Sequence, residues 1–429
     1  MVQFVGEAGS SKKVRGVIWS SFLGTTLEWY DFFIYGTVAA LVFNKLFFPS
    51  FDPAVGVLLS FGTFTAGFIA RPLGALIFGH YGDTLGRKRI LVLTMLLMGL
   101  ATVGIGLLPT YDQVGVVATC LLVILRLAQG LALGGEWGGA VLMVAEHGDS
   151  QRRGLQTSWA QIGVPAGNLL SVGAIAAMSA MLPEKEFLSW GWRVPFLLSG
   201  ILIAVALWVR SGIDESPKFM ALAGEKRTSS RPLIDLIKGH PRSLFVACFI
   251  RIGTDVAFYI FSLFVLTYVT GTLGLSRSVA LQGVLVASAI QMFTIPWFAS
   301  LSDRFGRQPI FLVGSIGAIV WIFLFFPLLG TKDPLLITTA ICVAMTFWAL
   351  MYGPLAALIS ELFPTHVRYS GISLGYQLAG IFGGGLAPLI AAALLKEYQS
   401  PTAVAIYVAA ALALTTVAAF LSRNYDHAG

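Results

Sequence analysis

Charge is what this chain has least of. Only 11% of its 429 residues are Asp, Glu, Lys or Arg, against about 25% in an ordinary soluble domain, so a water-facing surface all round is excluded. Cysteine is scarce as well. Cys120, Cys248 and Cys342 all fall in apolar stretches, which excludes a disulfide framework and leaves them as packing residues. The five histidines, His80, His147, His240, His366 and His427, lie in polar segments without H-E-x-x-H spacing, so no metal site or metal cofactor is indicated and an enzyme is not expected. There is no Gly-Lys dipeptide and hence no G-x-x-x-x-G-K-[ST] phosphate loop, which excludes a nucleotide-driven pump for this chain alone. A sensor would carry a soluble input or output domain, and no segment reads as one.

Long hydrophobic runs take the place of those features. Apolar residues make up 56% of the chain and mean hydropathy is +0.81. A helix of about 20 apolar residues crosses the ~30 Å hydrocarbon core. Twelve such windows lie near 17–43, 55–79, 89–109, 114–144, 155–181, 192–210, 243–270, 279–300, 309–329, 334–360, 369–395 and 402–422. The expected fold is all-α, a polytopic membrane protein of twelve transmembrane helices in two pseudo-symmetric six-helix bundles.

The net charge of +7 follows the positive-inside rule and indicates no nucleic-acid partner. With the N-terminus in the cytoplasm, nineteen of the 28 Lys and Arg fall on cytoplasmic segments, six on outer loops and three within helices. Both termini are then cytoplasmic. Lys12, Lys13 and Arg15 precede a long apolar run without a small-residue cleavage site, so the first helix is expected to be retained and not removed as a signal peptide.

Internal repetition divides the chain. "GHYGDTLGRKRIL" (Gly79 to Leu91) lies between helices two and three, and "SLSDRFGRQPIFL" (Ser300 to Leu312) between helices eight and nine. The shared D-x-x-G-R aligns Asp83, Gly86 and Arg87 with Asp303, Gly306 and Arg307. A second echo pairs "EHGDSQRRG" from Glu146 with "ELFPTHVRYSG" from Glu361. Matching repeats in two six-helix halves are the plan of secondary transporters. The expected organisation is an N-terminal segment 1–16, a first bundle 17–210, a cytoplasmic linker 211–242, a second bundle 243–422 and a tail 423–429.

The same segments, with "RLAQGLALGGEWGG" and the twelve-helix count, resemble the major facilitator superfamily. Within it, "LEWYDFFIYG", "ARPLG", "GGEWGG", "SWGWRVPFLLSG" and "ELFPTHVRYSG" are similar to the bacterial metabolite:proton symporters, with "ALVFNKLFFPS" and "GGEWGGA" nearest to the shikimate-type branch. The resemblance covers the chain from first helix to last. It implies import of a small organic anion with protons across the bacterial inner membrane; members take shikimate, α-ketoglutarate, citrate, or proline and betaine. The partners expected are a small solute, protons and the bilayer, with a monomeric chain and no cofactor besides the coupling proton. Proline/betaine members carry a long C-terminal coiled-coil extension. This chain ends about seven residues past helix twelve, so osmosensing by that device is not expected.

Seven ionisable residues stand within helices: Glu28, Asp31, Arg71, Arg126, Glu136, Arg251 and Asp255. Each costs ~2.5–3.5 kcal/mol or more facing lipid at the bilayer centre, so each is expected to turn inward and find a partner. Counting ~1.5 Å per residue, Glu28 lies about 16 Å deep, Asp31 about 21 Å, and Arg126, entered from the other side, about 16 Å. Glu28 and Asp31 share a helical face, and pairing of one or the other with Arg126 is geometrically reasonable. A desolvated carboxylate near a guanidinium suits proton relay; a permanent ion pair between helices one and four is the alternative. The resemblance associates the arginine of R-x-x-Q-G, here Arg126, with coupling. Glu136, among glycines, is either a further titrating group or a packing residue.

Arg251 and Asp255 are four apart and can neutralise each other, or Arg251 can anchor a substrate carboxylate bidentately. Arg71 is a further substrate candidate or a snorkelling structural residue. Gln161, Asn168, Tyr259, Gln291, Trp348, Tyr352, Tyr376 and Gln377 are candidate cavity-lining residues suited to a small hydroxylated or cyclic solute, and each alone also reads as a helix-packing group. Asp83, Gly86, Arg87, Glu146 and Arg152, with Asp303, Gly306, Arg307, Glu361 and Arg368, form the expected cytoplasmic gate. The resemblance implies that they latch helix ends and release as the halves rock.

Overall fold

In a bilayer the backbone must satisfy its own hydrogen bonds, and the fold answers with helices alone. The computed structural model describes residues 22–85, 87–134, 153–211, 236, 238–364 and 368–422. Among them there are no strands and twelve long helical segments. They are α1 (residues 22–46), α2 (Pro53–Leu85), α3 (Arg87–Leu107), α4 (Val116–Leu133), α5 (residues 153–181) and α6 (Val194–Ser211), then α7 (Pro241–Thr272), α8 (Arg277–Phe305), α9 (Arg307–Gly330), α10 (Pro334–Glu361), α11 (residues 368–398) and α12 (Pro401–Ser422). Nine described helices are long and apolar enough to cross a membrane, and Val92–Leu107 and Gly191–Val205 are shorter apolar segments.

Packing repeats as the sequence does. The contacts α2–α4, α3–α4 and α3–α6 of the first half recur as α8–α10, α9–α10 and α9–α12 of the second. The halves meet where α5 packs on α8 and α10, where α2 packs on α11, and where α1 meets α7. Helices α1 and α7 hold equivalent places, and both widen to π-helix, over Ala39–Phe43 in one and over Ile260–Phe264 and Tyr268–Thr272 in the other. Helix α11 does the same over Gly380–Gly385. Hydrophobic periodicity does not reveal such widenings, which are common at functional sites.

The loop expected between helices eight and nine is one residue. Gly306 alone separates α8 from α9, at φ 91° and ψ 149°. That conformation is essentially restricted to glycine and costs other residues about 1–3 kcal/mol. Gly306→Ala is therefore expected to lower the unfolding temperature of the detergent-solubilised protein, measured by tryptophan fluorescence, more than Gly239→Ala, whose added Cβ meets nothing within 4 Å. The expected linker lies mostly outside the described residues.

Candidate functional site

Three guanidiniums and one carboxylate converge where the halves meet. Arg251 and Asp255, one turn apart on α7, form the ion pair that their spacing allows, with Nε 3.0 Å from Oδ2. Arg251 also lies over the Tyr376 ring of α11, its Cζ 3.3 Å from the centroid. Arg71 of α2 interacts with the same group, feeling Asp255, Arg251, Tyr259 and Tyr376. Its guanidinium is 4.0 Å from the Phe68 centroid and 4.4 Å from that of Phe32. Arg126 of α4 also reaches the Phe32 ring, at 4.4 Å, and is bracketed by Tyr35 at 4.2 Å and Phe64 at 4.9 Å. Arg71, Arg126 and Arg251 are each 3% exposed or less.

The α1 carboxylates do not join them. Glu28 and Asp31 share a face, as their spacing predicts, and both line a small cleft with Met95 and Met98 of α3 and Leu202 and Ile203 of α6. Asp31 accepts a hydrogen bond from Ser199 of α6 and is also approached by the Thr102 hydroxyl of α3. Arg126 instead donates from Nη1 to Gln129 Oε1 at 3.0 Å. The pairing of Arg126 with Glu28 or Asp31 reached by depth alone is thus corrected. Depth placed these groups at one level, but helix rotation turns the carboxylates toward α3 and α6, while Phe32 and Tyr35 turn toward α2 and α4.

Arg71 and Arg126 both keep unsatisfied donors. Nε and Nη2 of both Arg71 and Arg126 are buried without a hydrogen-bond partner among the described residues. So are the amide oxygens of Gln161, Gln291 and Gln377, on α5, α8 and α11. The amide nitrogens of these glutamines tie helices together: Gln161 donates to the Tyr352 carbonyl at 2.8 Å, Gln291 to the Met345 carbonyl at 3.5 Å and Gln377 to the Gly134 carbonyl at 3.0 Å. Asn168 likewise donates to Ser288 Oγ at 3.0 Å. Trp348 stacks on Tyr352 at 4.3 Å, lies 4.7 Å from Phe258, and donates to the Thr254 carbonyl. Tyr259 packs on Phe64 and Phe68.

Both ends of the contact between halves are bridged. At one end Asp303 accepts the backbone N–H groups of Gly154 and Leu155, at the start of α5, at 2.9 and 3.0 Å. Arg307 binds Asp303 at 3.2 Å and Glu361 at 2.7 Å. The acceptor on a helix N-terminus gains from the dipole. Gly86, Glu136, Glu146 and Arg152 lie outside the described residues, as do the side chains of Asp83, Arg87 and Arg368. At the other end Glu184 binds Lys45 of α1 at 3.4 Å and Arg277 of α8, whose guanidinium lies 4.1 Å from the Phe187 centroid. The sequence reading missed this cluster, although charges at outer helix ends were its available signal. It also missed Ser199 and Thr102, which carry no motif, and Gln129, whose signal was the Q of R-x-x-Q-G.

Comparison with known proteins agrees with this architecture. A model of the Major Facilitator Superfamily matches residues 21–388. The inner membrane metabolite transport protein YhjE of Escherichia coli strain K12 is 40% identical over 96% of this chain and 94% of its own. The shikimate transporter of the same strain is 40% identical over 98% and 97%, and its proline/betaine transporter 34% over 90% and 79%. The crystal structure of a D-xylose-proton symporter shares the fold, with a TM-score of 0.75 at 18% identity over 96% of this chain and 98% of that one.

Proposed function

The chain belongs to the Major Facilitator Superfamily, and from that premise we propose that it is a symporter importing a small organic anion with protons by alternating access. Family and relatives establish a multi-pass membrane transporter of metabolites; the substrate class and coupling are our reading. So are its place in a bacterial inner membrane with both termini in the cytoplasm, a monomeric chain, and the proton as sole coupling ion without cofactor.

The observation that carries the reading is the charge at the centre. Arg71 and Arg251 face one carboxylate, Asp255, which Arg251 already engages, and Arg126 lies beside Arg71 with no carboxylate paired to it among the described residues. Arg71 and Arg126 retain buried donors without a partner among the described residues. Aromatic faces return about 0.5–2 kcal/mol to each cation, whereas an unsatisfied buried charged donor costs roughly 1–3 kcal/mol or more. A carboxylate is planar, carries the missing charge and accepts two parallel N–H bonds from a guanidinium. The unpaired amide oxygens of Gln161, Gln291 and Gln377 suit hydroxyl donors. Unsatisfied donors and acceptors together favour a hydroxylated acid of the shikimate type.

In this mechanism the anion bridges charges on both halves, so its binding favours closure around it. Asp31 takes and releases the proton, and the bonds from Asp303 to α5 and from Glu184 to Lys45 and Arg277 break alternately as the halves rock. The test is uptake of labelled shikimate into proteoliposomes, after a thermal-shift screen of organic acids, amino acids and betaines. An imposed inward proton gradient is expected to raise uptake at least tenfold. Equal uptake without the gradient would establish a uniporter, and stabilisation by zwitterionic osmolytes alone would establish an osmolyte symporter.

A further inference from the structure

The coupling carboxylate and the anion-facing arginine are separate, yet polar atoms run between them. Arg126 Nη1 donates to Gln129 Oε1 at 3.0 Å, and Gln129 Nε2 donates to Thr102 Oγ1 at 2.7 Å. The Thr102 hydroxyl donates to the Met98 carbonyl at 2.9 Å, and Met98 lines the same cleft as the Asp31 carboxylate, which accepts from Ser199. Every member is buried: Arg126, Thr102 and Ser199 are 0% exposed, Gln129 3% and Asp31 4%. Among the described residues no cation forms an ion pair with Asp31.

We propose that Gln129 and Thr102 are positioning residues forming a hydrogen-bond relay through which anion binding at Arg126 and proton binding at Asp31 are coupled. This rests on the anion symport reading above. The Gln129 amide can serve only one way round, with its oxygen toward the guanidinium and its nitrogen toward the hydroxyl. The Thr102 oxygen is occupied by that amide and has one proton to give. It gives that proton to the Met98 carbonyl at 2.9 Å, one turn earlier on α3, and the Asp31 carboxylate in the cleft that Met98 lines is the competing acceptor. The hydroxyl is therefore a two-position rotor.

With Asp31 ionised, the hydroxyl proton turns toward it, and the chain is polarised in one sense from guanidinium to carboxylate. With Asp31 protonated, the carboxylate no longer competes and the hydroxyl returns to Met98. An anion on Arg126 neutralises the charge that polarises the chain, so occupancy of Arg126 and protonation of Asp31 favour each other. Such coupling is reciprocal, as linkage requires, and hydrogen-bond chains in a low-dielectric interior transmit polarisation. The other groups facing Asp31 are Glu28 and Tyr30 of its own helix, Thr102 of α3 and Ser199 of α6; Arg126 of α4 reaches it only through the relay.

The experiment uses the full chain in proteoliposomes with shikimate as probe, reading gradient-driven accumulation, counterflow at equal pH on both sides, and the pH profile of counterflow. Thr102→Val keeps the shape of the side chain and removes its hydroxyl, Gln129→Leu removes both amide contacts, and Thr102→Ser restores a hydroxyl. The first two are expected to lose accumulation at least tenfold, keep counterflow within about threefold, and displace the midpoint of its pH profile. Thr102→Ser is expected to return accumulation to within twofold of wild type. Wild-type accumulation and pH profile in Thr102→Val and Gln129→Leu would overturn the relay, as would equal loss of accumulation and counterflow with no recovery in Thr102→Ser. A wild-type protein indifferent to the gradient would overturn the symport reading itself, and the relay with it.

Discussion

Asp31→Asn is expected to abolish gradient-driven accumulation, by a hundredfold or more, while solute exchange persists. Asparagine occupies the same volume and still accepts from Ser199, so the α1 and α6 packing around it is retained. What it loses is the ability to take up a proton. A carrier that cannot release or bind the coupling proton still moves solute both ways when solute is present on both sides. Counterflow with and without an imposed proton gradient separates the two. Gradient-driven accumulation surviving in Asp31→Asn would move the coupling role to another carboxylate, with Glu28 in the same cleft the first to test.

The second large effect is expected at Arg126. Arg126→Lys is expected to reduce transport at least thirtyfold at equal expression. The guanidinium lies 4.4, 4.2 and 4.9 Å from the ring centroids of Phe32, Tyr35 and Phe64, a setting that a compact ammonium does not fill, and lysine lacks the planar fork that grips a carboxylate. Space for that fork is made by Gly67 on α2, where an added Cβ would stand 2.5 Å from Arg126 Nε. Gly67→Ala therefore displaces the guanidinium without altering its charge, and is expected to lower transport in the same direction. Transport within twofold of wild type in both variants would remove Arg126 from the anion site.

The positions of charge and repetition were legible in the residues. Asp303, Gly306 and Arg307 were read as a repeated D-x-x-G-R, and the structure puts Asp303 on the first turn of α5 and Arg307 against Glu361. The i,i+4 spacing of Arg251 and Asp255 announced their contact. By contrast, Gln161, Asn168 and Gln377 were nominated from polarity alone, and each spends its amide nitrogen on a bond across the halves. No spacing rule connects residues as distant in sequence as Gln377 and Gly134. The short helices Tyr111–Val114 and Glu184–Ser189 were not anticipated either. They carry little hydrophobic pattern, and the second is positioned by the ion pairs of Glu184 with Lys45 and Arg277.

The residues by themselves determined the class, the twelve spans and the burial of Glu28, Asp31, Arg71, Arg126, Arg251 and Asp255, because long apolar runs cross hydrocarbon as helices that satisfy their own backbone and charge facing lipid is penalised. Tertiary structure decided which partner each charge meets. Depth along a helix is additive in the residue count, but direction around it depends on how neighbouring helices pack. That rotation sends Asp31 to Ser199 and Thr102, sends Arg126 to Gln129 and the rings of Phe32, Tyr35 and Phe64, and leaves hydrogen bonds where an ion pair was expected.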